Sequence, residues 1–168
     1  MNLQLHYITC LPLQSFHQVK SALEPKLKEK CIELDIYSSL TGLTGDYILL
    51  QSLLVNLIDN AVNASSKDST IQLSAYFDKA PVLEVKEFGC GLDEEQTALV
   101  CEPFYRVDKA RSRSSGGIGL GLSLCREIAH LHGAELRMVS FPGKGTTVQV
   151  VFTASLQLPE NSLMLKNV

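Results

Sequence analysis

Residues 47–65 constrain this chain more than any other stretch. They read as one long apolar helix, along which Ser52, Asn56, Asn60 and Asn63 follow at steps of four, four and three. Those steps place four polar side chains on a single helical stripe. Carboxamides held against a core must find hydrogen-bond partners. Two readings are open: the amides bond loops or water, or they serve a Mg²⁺–phosphate site. Amide carbonyl oxygens are hard, neutral ligands suited to Mg²⁺, which keeps several waters and bridges to phosphates. Neutral ligands also do not repel a triphosphate.

The elements around this helix follow from local pattern. Asp46 is a good N-cap for it, after a loop with Gly42 and Gly45. An amphipathic helix is expected over 13–30, where Phe16, Val19, Leu23 and Leu27 recur at three- and four-residue steps. Pro25 is expected to kink it or start a second piece. Residues 32–37 alternate as a strand. Two strands are expected over 71–77 and 82–87, joined across Lys79-Ala80-Pro81. A short helix is expected over 93–100, a polar glycine-rich loop over 104–119 and a helix over 120–132 with Gly133 as its C-cap. Strands over 136–141 and 146–153 flank Pro142-Gly143-Lys144-Gly145, a hairpin turn. Strands and helices mix without strict alternation. The expected fold is therefore an α/β (α+β) two-layer sandwich, a mixed sheet of about five strands with helices on one face.

Composition narrows the function classes. The 168 residues suit one domain. With 45% hydrophobic and 20% charged residues the balance is globular rather than disordered. A net charge of −3 gives no overall basic surface, so nucleic acid is not an expected partner. Any anion site must be a local patch. Cys10, Cys31, Cys90, Cys101 and Cys125 are scattered and odd in number, so neither a disulfide framework nor a zinc site is expected. Free thiols fit a reducing cytosol. No apolar run approaches the roughly 20 residues that span a bilayer. No membrane contact by this piece is expected, while a membrane-anchored parent protein stays open.

Two more constellations carry chemistry. Glu87-Phe88-Gly89-Cys90-Gly91 ends a strand. A carboxylate there can accept from a base amine, and the glycines let backbone approach a flat ligand. A plain turn fits the same residues. Gly116-Gly117-Ile118-Gly119-Leu120-Gly121-Leu122-Ser123 runs into a helix, where successive N–H groups and the positive helix end favour an anion. The preceding loop holds Arg106, Lys109, Arg111 and Arg113. Both a phosphate lid and a solvated charged loop fit that run. No G-x-x-x-x-G-K-[ST] occurs, which excludes a P-loop. The spacing of Gly117, Gly119 and Gly121 does not match a dinucleotide fingerprint.

Taken in order, these segments resemble the ATP-binding catalytic domain of sensor histidine kinases, within the superfamily of gyrase, heat-shock chaperone and mismatch-repair ATPases. Asn56-Leu57-Ile58-Asp59-Asn60-Ala61 resembles the N box. Glu87-x-Gly89-x-Gly91 stands at the D-x-G-x-G box. Phe104-Tyr105-Arg106-Val107-Asp108 resembles the F box, and Gly117-Ile118-Gly119-Leu120-Gly121-Leu122 the G2 box. The resemblance covers about residues 13–153. It implies a Bergerat-type fold with a long ATP lid, and ATP and Mg²⁺ as ligands. Asn60 would be the main Mg²⁺ ligand, with Asn56 assisting and Asn63 nearby. Glu87 would take the adenine amine, and Gly89 and Gly91 would give the base room. Gly117, Gly119, Leu120 and Gly121 would meet the phosphates. Phe104, Tyr105, Arg106, Lys109, Arg111 and Arg113 would form the lid. The implied reaction is phosphoryl transfer to a histidine nitrogen.

The chain departs from the family pattern in four places. Glu87 replaces Asp and Phe88 replaces the usual Asn. Asn63 stands where a basic residue is common, and Ala64 where an aromatic often packs. Glu87 keeps the carboxylate with one more methylene, so the base must shift or the side chain must fold back. The family's acceptor is a histidine followed by an acid, with proline four positions later. His6 and His17 do not fit it. His130 and His132, two apart on a helix, share no face for a metal. All four read as surface or packing histidines. The acceptor is therefore expected on a helical dimerisation domain N-terminal to residue 1, with a response regulator as an indirect partner. Residues 1–12 read as a linker remnant behind an introduced Met1, 13–155 as the catalytic domain and 156–168 as a tail. A monomeric piece with a cytoplasmic location is expected, inactive without the acceptor domain. Two alternatives stand beside it. One is a degenerate nucleotide-sensing or scaffolding module with weakened adenine binding. The other is a serine kinase of the anti-sigma-factor type.

Overall fold

The computed structural model describes residues 6–105 and 120–153. Its elements are β1 (Tyr7–Cys10), α1 (Pro12–Glu29), β2 (Glu33–Ser38), β3 (Leu43–Asp46), α2 (Tyr47–Ala64), β4 (Thr70–Asp78), β5 (Ala80–Glu87), α3 (Glu94–Leu99), α4 (Gly121–Leu131), β6 (Ala134–Phe141) and β7 (Gly145–Phe152). Five strands form one mixed sheet in the order β2-β4-β5-β7-β6. β2 and β4 run parallel and the other neighbours antiparallel. This is the mixed five-strand sheet that the pattern predicts.

The helices lie on one face because the strands alternate. Leu34, Ile71, Leu73, Ala75, Leu83, Val85, Val148 and Val150 are buried against Phe16, Val19, Leu53, Leu57, Ile58 and Ile128 from the helices. Each of these side chains larger than alanine contributes about 1.5–3 kcal/mol on leaving water. The opposite face mixes apolar side chains such as Val82 and Val151 with a polar cluster. There Tyr76 donates to Glu84 at 2.8 Å, and Gln149 donates to the same carboxylate at 2.7 Å. Burial, reinforced by that carboxylate, pushes the Tyr76 hydroxyl up to about 12.

Three local outcomes differ from the sequence pattern. β3 forms where a loop is expected, paired antiparallel with β1 from Tyr7↔Asp46 to Cys10↔Leu43. β1 itself falls inside the segment read as a linker remnant. Pro25 neither splits nor ends α1, which runs unbroken from Pro12 to Glu29. Pro25 and Ser21, whose carbonyl loses its donor to the proline, are both exposed, so water can serve that carbonyl. Asp46 does cap α2, accepting the Leu49 N–H at 3.1 Å. Residues 156–168 lie outside the described residues.

Candidate functional site

The polar stripe of α2 faces the beginning of α4. A side chain at Gly121, the first residue of α4, would start 3.3 Å from Asn56 Oδ1 and 3.2 Å from Asn60 Nδ2. Only a residue without Cβ leaves that space open. Asn56 donates its amide to the Ser52 carbonyl at 2.8 Å, which leaves its Oδ1 turned toward Gly121. Asn60 Nδ2 is buried and has no hydrogen-bond partner among the described residues. An orphaned buried amide is costly, so this group calls for a polar partner. Asn63, one turn further, is exposed, and its carbonyl accepts from Lys30 Nζ.

The glycine turn after β5 holds the second group. Glu87 is 3% exposed. The Gly89 N–H donates to its Oε2, so the longer acid folds back over its own turn rather than reaching outward. Its Oε1 is buried without a partner among the described residues. Any side chain at Gly89 would collide with the Ala64 carbonyl and crowd Glu87 Oε2, so the end of α2 and this carboxylate meet over one glycine. Gly91 adopts φ +63° and packs against the Phe141 carbonyl. Its role in the turn is thus backbone packing against the β6–β7 hairpin. Phe88 points outward, with the Lys86 ammonium 5.0 Å from its ring centre.

The far ends of the two site helices are tied together. His132, fully buried at the C-cap of α4, accepts the Asp46 N–H on Nε2 at 2.9 Å. The proton therefore sits on Nδ1, which donates to the Ile128 carbonyl at 2.7 Å. The Asp46 carboxylate accepts from His6 N–H at 3.0 Å as well as from Leu49. These two backbone donors hold its carboxyl below the usual carboxylate range. Tyr7 stacks edge-on against His132 and donates to the Leu131 carbonyl at 3.0 Å. His132 is thus a packing histidine of the interior rather than of the surface.

The remaining predicted residues are divided by position. Phe104 is described, 70% exposed and at φ +66°, a conformation uncommon for a residue with a side chain. Tyr105 is half-buried and bonds Glu102 through its backbone. Leu120 occupies the N-cap of α4. Arg106, Lys109, Arg111, Arg113, Gly117 and Gly119 lie outside the described residues. Two residues at the site escaped the sequence pattern. Ser65, the C-cap of α2, has a buried hydroxyl without a partner among the described residues. Lys30 reaches the end of α2 from α1. Ser65 falls off the stripe because it lies five residues past Asn60, which is why helical spacing does not find it.

A family model described as "Histidine kinase-, DNA gyrase B-, and HSP90-like ATPase" matches residues 45–158. The chain belongs to this ATPase family. Relatives of this ATPase domain include the sensor histidine kinase YkoH of Bacillus subtilis, 44% identical over 105 residues, which covers 62% of this chain and 23% of the relative. The signal transduction histidine-protein kinase ArlS of Staphylococcus aureus is 38% identical over 103 residues, covering 61% and 23%. The chain thus spans about a quarter of the length of these curated relatives. Among solved structures, the catalytic domain of histidine kinase ThkA aligns with a TM-score of 0.73 at 20% identity, over 86% of this chain and 95% of that one. Full-length ShkA in complex with AMPPNP aligns with a TM-score of 0.77 at 21% identity, over 89% and 31%. These two likenesses establish the fold of the ATPase domain.

Proposed function

We propose that this chain binds Mg-ATP as the catalytic domain of a two-component sensor histidine kinase. The observation that carries the reading is Gly121 standing open against the amides of Asn56 and Asn60. The first turn of α4 offers N–H groups that have no partner within the helix, and the positive end of its dipole, to phosphate oxygens. The Asn60 and Asn56 carbonyl oxygens are a fitting donor set for Mg²⁺, with Asn60 as the main ligand. When bound, the ion offsets charge on the triphosphate. The buried Oε1 of Glu87 has no donor among the described residues, and an adenine amine would supply one. Gly89 keeps that turn close to the end of α2, where the base would lie, while Gly91 seats it on the β6–β7 hairpin. Phe104, Tyr105, Arg106, Lys109, Arg111 and Arg113 would then form the lid, and the glycines at 117 and 119 would meet the phosphates. Asn63 and Leu120 line the rim.

In the proposed reaction a histidine nitrogen attacks the γ-phosphorus. The bond to the β–γ bridging oxygen breaks, ADP leaves, and the imidazole loses a proton to solvent. The acceptor histidine belongs to a dimerisation domain of the same parent protein, and a response regulator receives the group afterwards. None of His6, His17, His130 and His132 is proposed as the acceptor, and the burial of His132 supports this for that residue. Free thiols at all five cysteines and the absence, among the described residues, of a helix apolar and long enough to cross a membrane fit a cytoplasmic placement.

Calorimetric titration with ATP, with and without Mg²⁺, tests the binding. Transfer to an added histidine-bearing domain, giving an acid-labile product, tests the reaction. A second reading, a nucleotide-sensing or scaffolding module with weakened adenine binding, draws on Glu87 Oε2 being taken by Gly89. No heat at millimolar ATP would select it.

A further inference from the structure

We propose that Lys30 is a positioning residue for base recognition. By holding the last carbonyls of α2 it sets where Ala64 and Ser65 stand against Glu87. The inference rests on Glu87 being the acceptor for an exocyclic base amine.

The end of α2 shows the need. The last carbonyls of a helix have no partner within it, and α2 carries no basic residue in its last turn. Ala61 is served by the Ser65 N–H at 2.9 Å. Lys30 Nζ, arriving from the C-cap of α1, donates to Val62 at 2.7 Å, Ser65 at 3.2 Å and Asn63 at 3.4 Å. An ammonium has three donors and no acceptor, so all three are directed into this one helix end. Its charge also meets the negative end of the α2 dipole. The one carbonyl of 62–65 that Lys30 does not take is Ala64, and that carbonyl is the one lying over Gly89.

The backbone of Lys30 is fixed too. Its carbonyl accepts the Asp68 N–H at 3.0 Å. The segment from α2 to β4 is therefore held by Lys30 at both ends, through the side chain before Ser66 and the main chain at Asp68. This strap holds one buried group with no partner among the described residues, Ser65 Oγ, and a second, Glu87 Oε1, belongs to the carboxylate that meets the Ala64 carbonyl over Gly89. Removing the ammonium frees three carbonyls to seek water. The turn bearing Ala64 and Ser65 then moves relative to β5, while Asn60 and Asn56, one and two turns earlier, keep their seats against Gly121. Recognition of the base should suffer and that of the phosphates should not.

The test compares ATP with inosine triphosphate, which carries an oxygen in place of the exocyclic amine. Each displaces a fluorescent ATP analogue from the chain and from Lys30→Met, Lys30→Gln, Lys30→Arg and Lys26→Met. Lys26 serves as the control because it pairs with Asp59 on the same two helices, but at the exposed surface. Lys30→Met is expected to lose ATP affinity about tenfold and inosine triphosphate affinity less than about threefold, so that the preference for the amine collapses. Lys30→Arg, which can still donate to carbonyls, is expected to restore the preference, and Lys26→Met to leave it intact. Lys30→Gln, milder, carries the same comparison if Lys30→Met does not fold. Equal losses for both nucleotides, no loss, or no restoration by arginine would overturn the role of Lys30. A wild-type chain that binds neither nucleotide would overturn it together with the nucleotide site.

Discussion

His132 Nε2 accepts the Asp46 backbone N–H at 2.9 Å, so the residue that closes α4 is bonded to the residue that opens α2. The two helices that form the candidate phosphate site run in opposite directions, and this bond fixes them at the end away from Gly121. His132→Leu would leave the Asp46 N–H buried with no acceptor. A loss of about 1–3 kcal/mol is expected in chemical denaturation. A loss below about 0.5 kcal/mol, the scale of ordinary surface changes, would show that the bond does not hold the helices.

Asp46 gives the fold an acid limit. Its carboxyl is held below the ordinary range by the His6 and Leu49 N–H groups. The stability it contributes is fully present above the unfolded carboxylate value of about 3.9. It is lost as pH falls through the lower folded value. Asp46→Ala, which also removes the cap, is expected to cost about 1 kcal/mol at neutral pH. Denaturation of parent and variant across the acid range should show the gap narrowing below about pH 4. A gap that stays constant would assign the cost to something other than the charged carboxylate.

Asn60→Ala separates ligand binding from stability. Its Nδ2 has no partner among the described residues, so the variant removes a buried unsatisfied group and is expected to melt no lower than the parent. Mg²⁺-dependent ATP binding is expected to disappear in calorimetry. Unchanged affinity would remove Asn60 from the metal site.

Glu87→Asp should tighten ATP binding by up to about tenfold, since a shorter acid suits the pocket without folding back. Titration of both chains side by side decides it. Weaker binding by the aspartate variant would mean that the bond from Gly89 is what makes the carboxylate useful.

Two glycines at the site should respond differently to alanine. At Gly89 the new methyl meets the Ala64 carbonyl, a backbone atom that cannot step aside, and at least about 1–3 kcal/mol of stability is expected to be lost. At Gly121 the methyl sits 3.2–3.3 Å from flexible side-chain amides. There the melting temperature should hold while Mg-ATP affinity falls several-fold, read by thermal shift and calorimetry on one preparation.

The long α2 was legible because its apolar run, the Asp46 cap and the asparagine stripe agree with one another. The closing hairpin was legible from Gly143 and Gly145, both at positive φ. β1 and β3 were not, because each has only four residues and the pairing that creates them joins Tyr7 to Asp46 across the whole of α1 and β2. The candidate site was legible where spacing along one helix carries it, at Asn56 and Asn60. Lys30 was hidden for the opposite reason. It acts on carbonyls 32 or more positions away, and no side-chain pattern records which backbone oxygens a lysine will find.

The folded-back Glu87 has a consequence for any ligand that enters beside it. Its rotatable bonds are arrested by the neighbouring Gly89 amide before an encounter begins. The extra methylene therefore shortens the reach of the acid without loosening it, and an incoming partner meets a stationary oxygen whose conformational freedom was already surrendered when the chain folded.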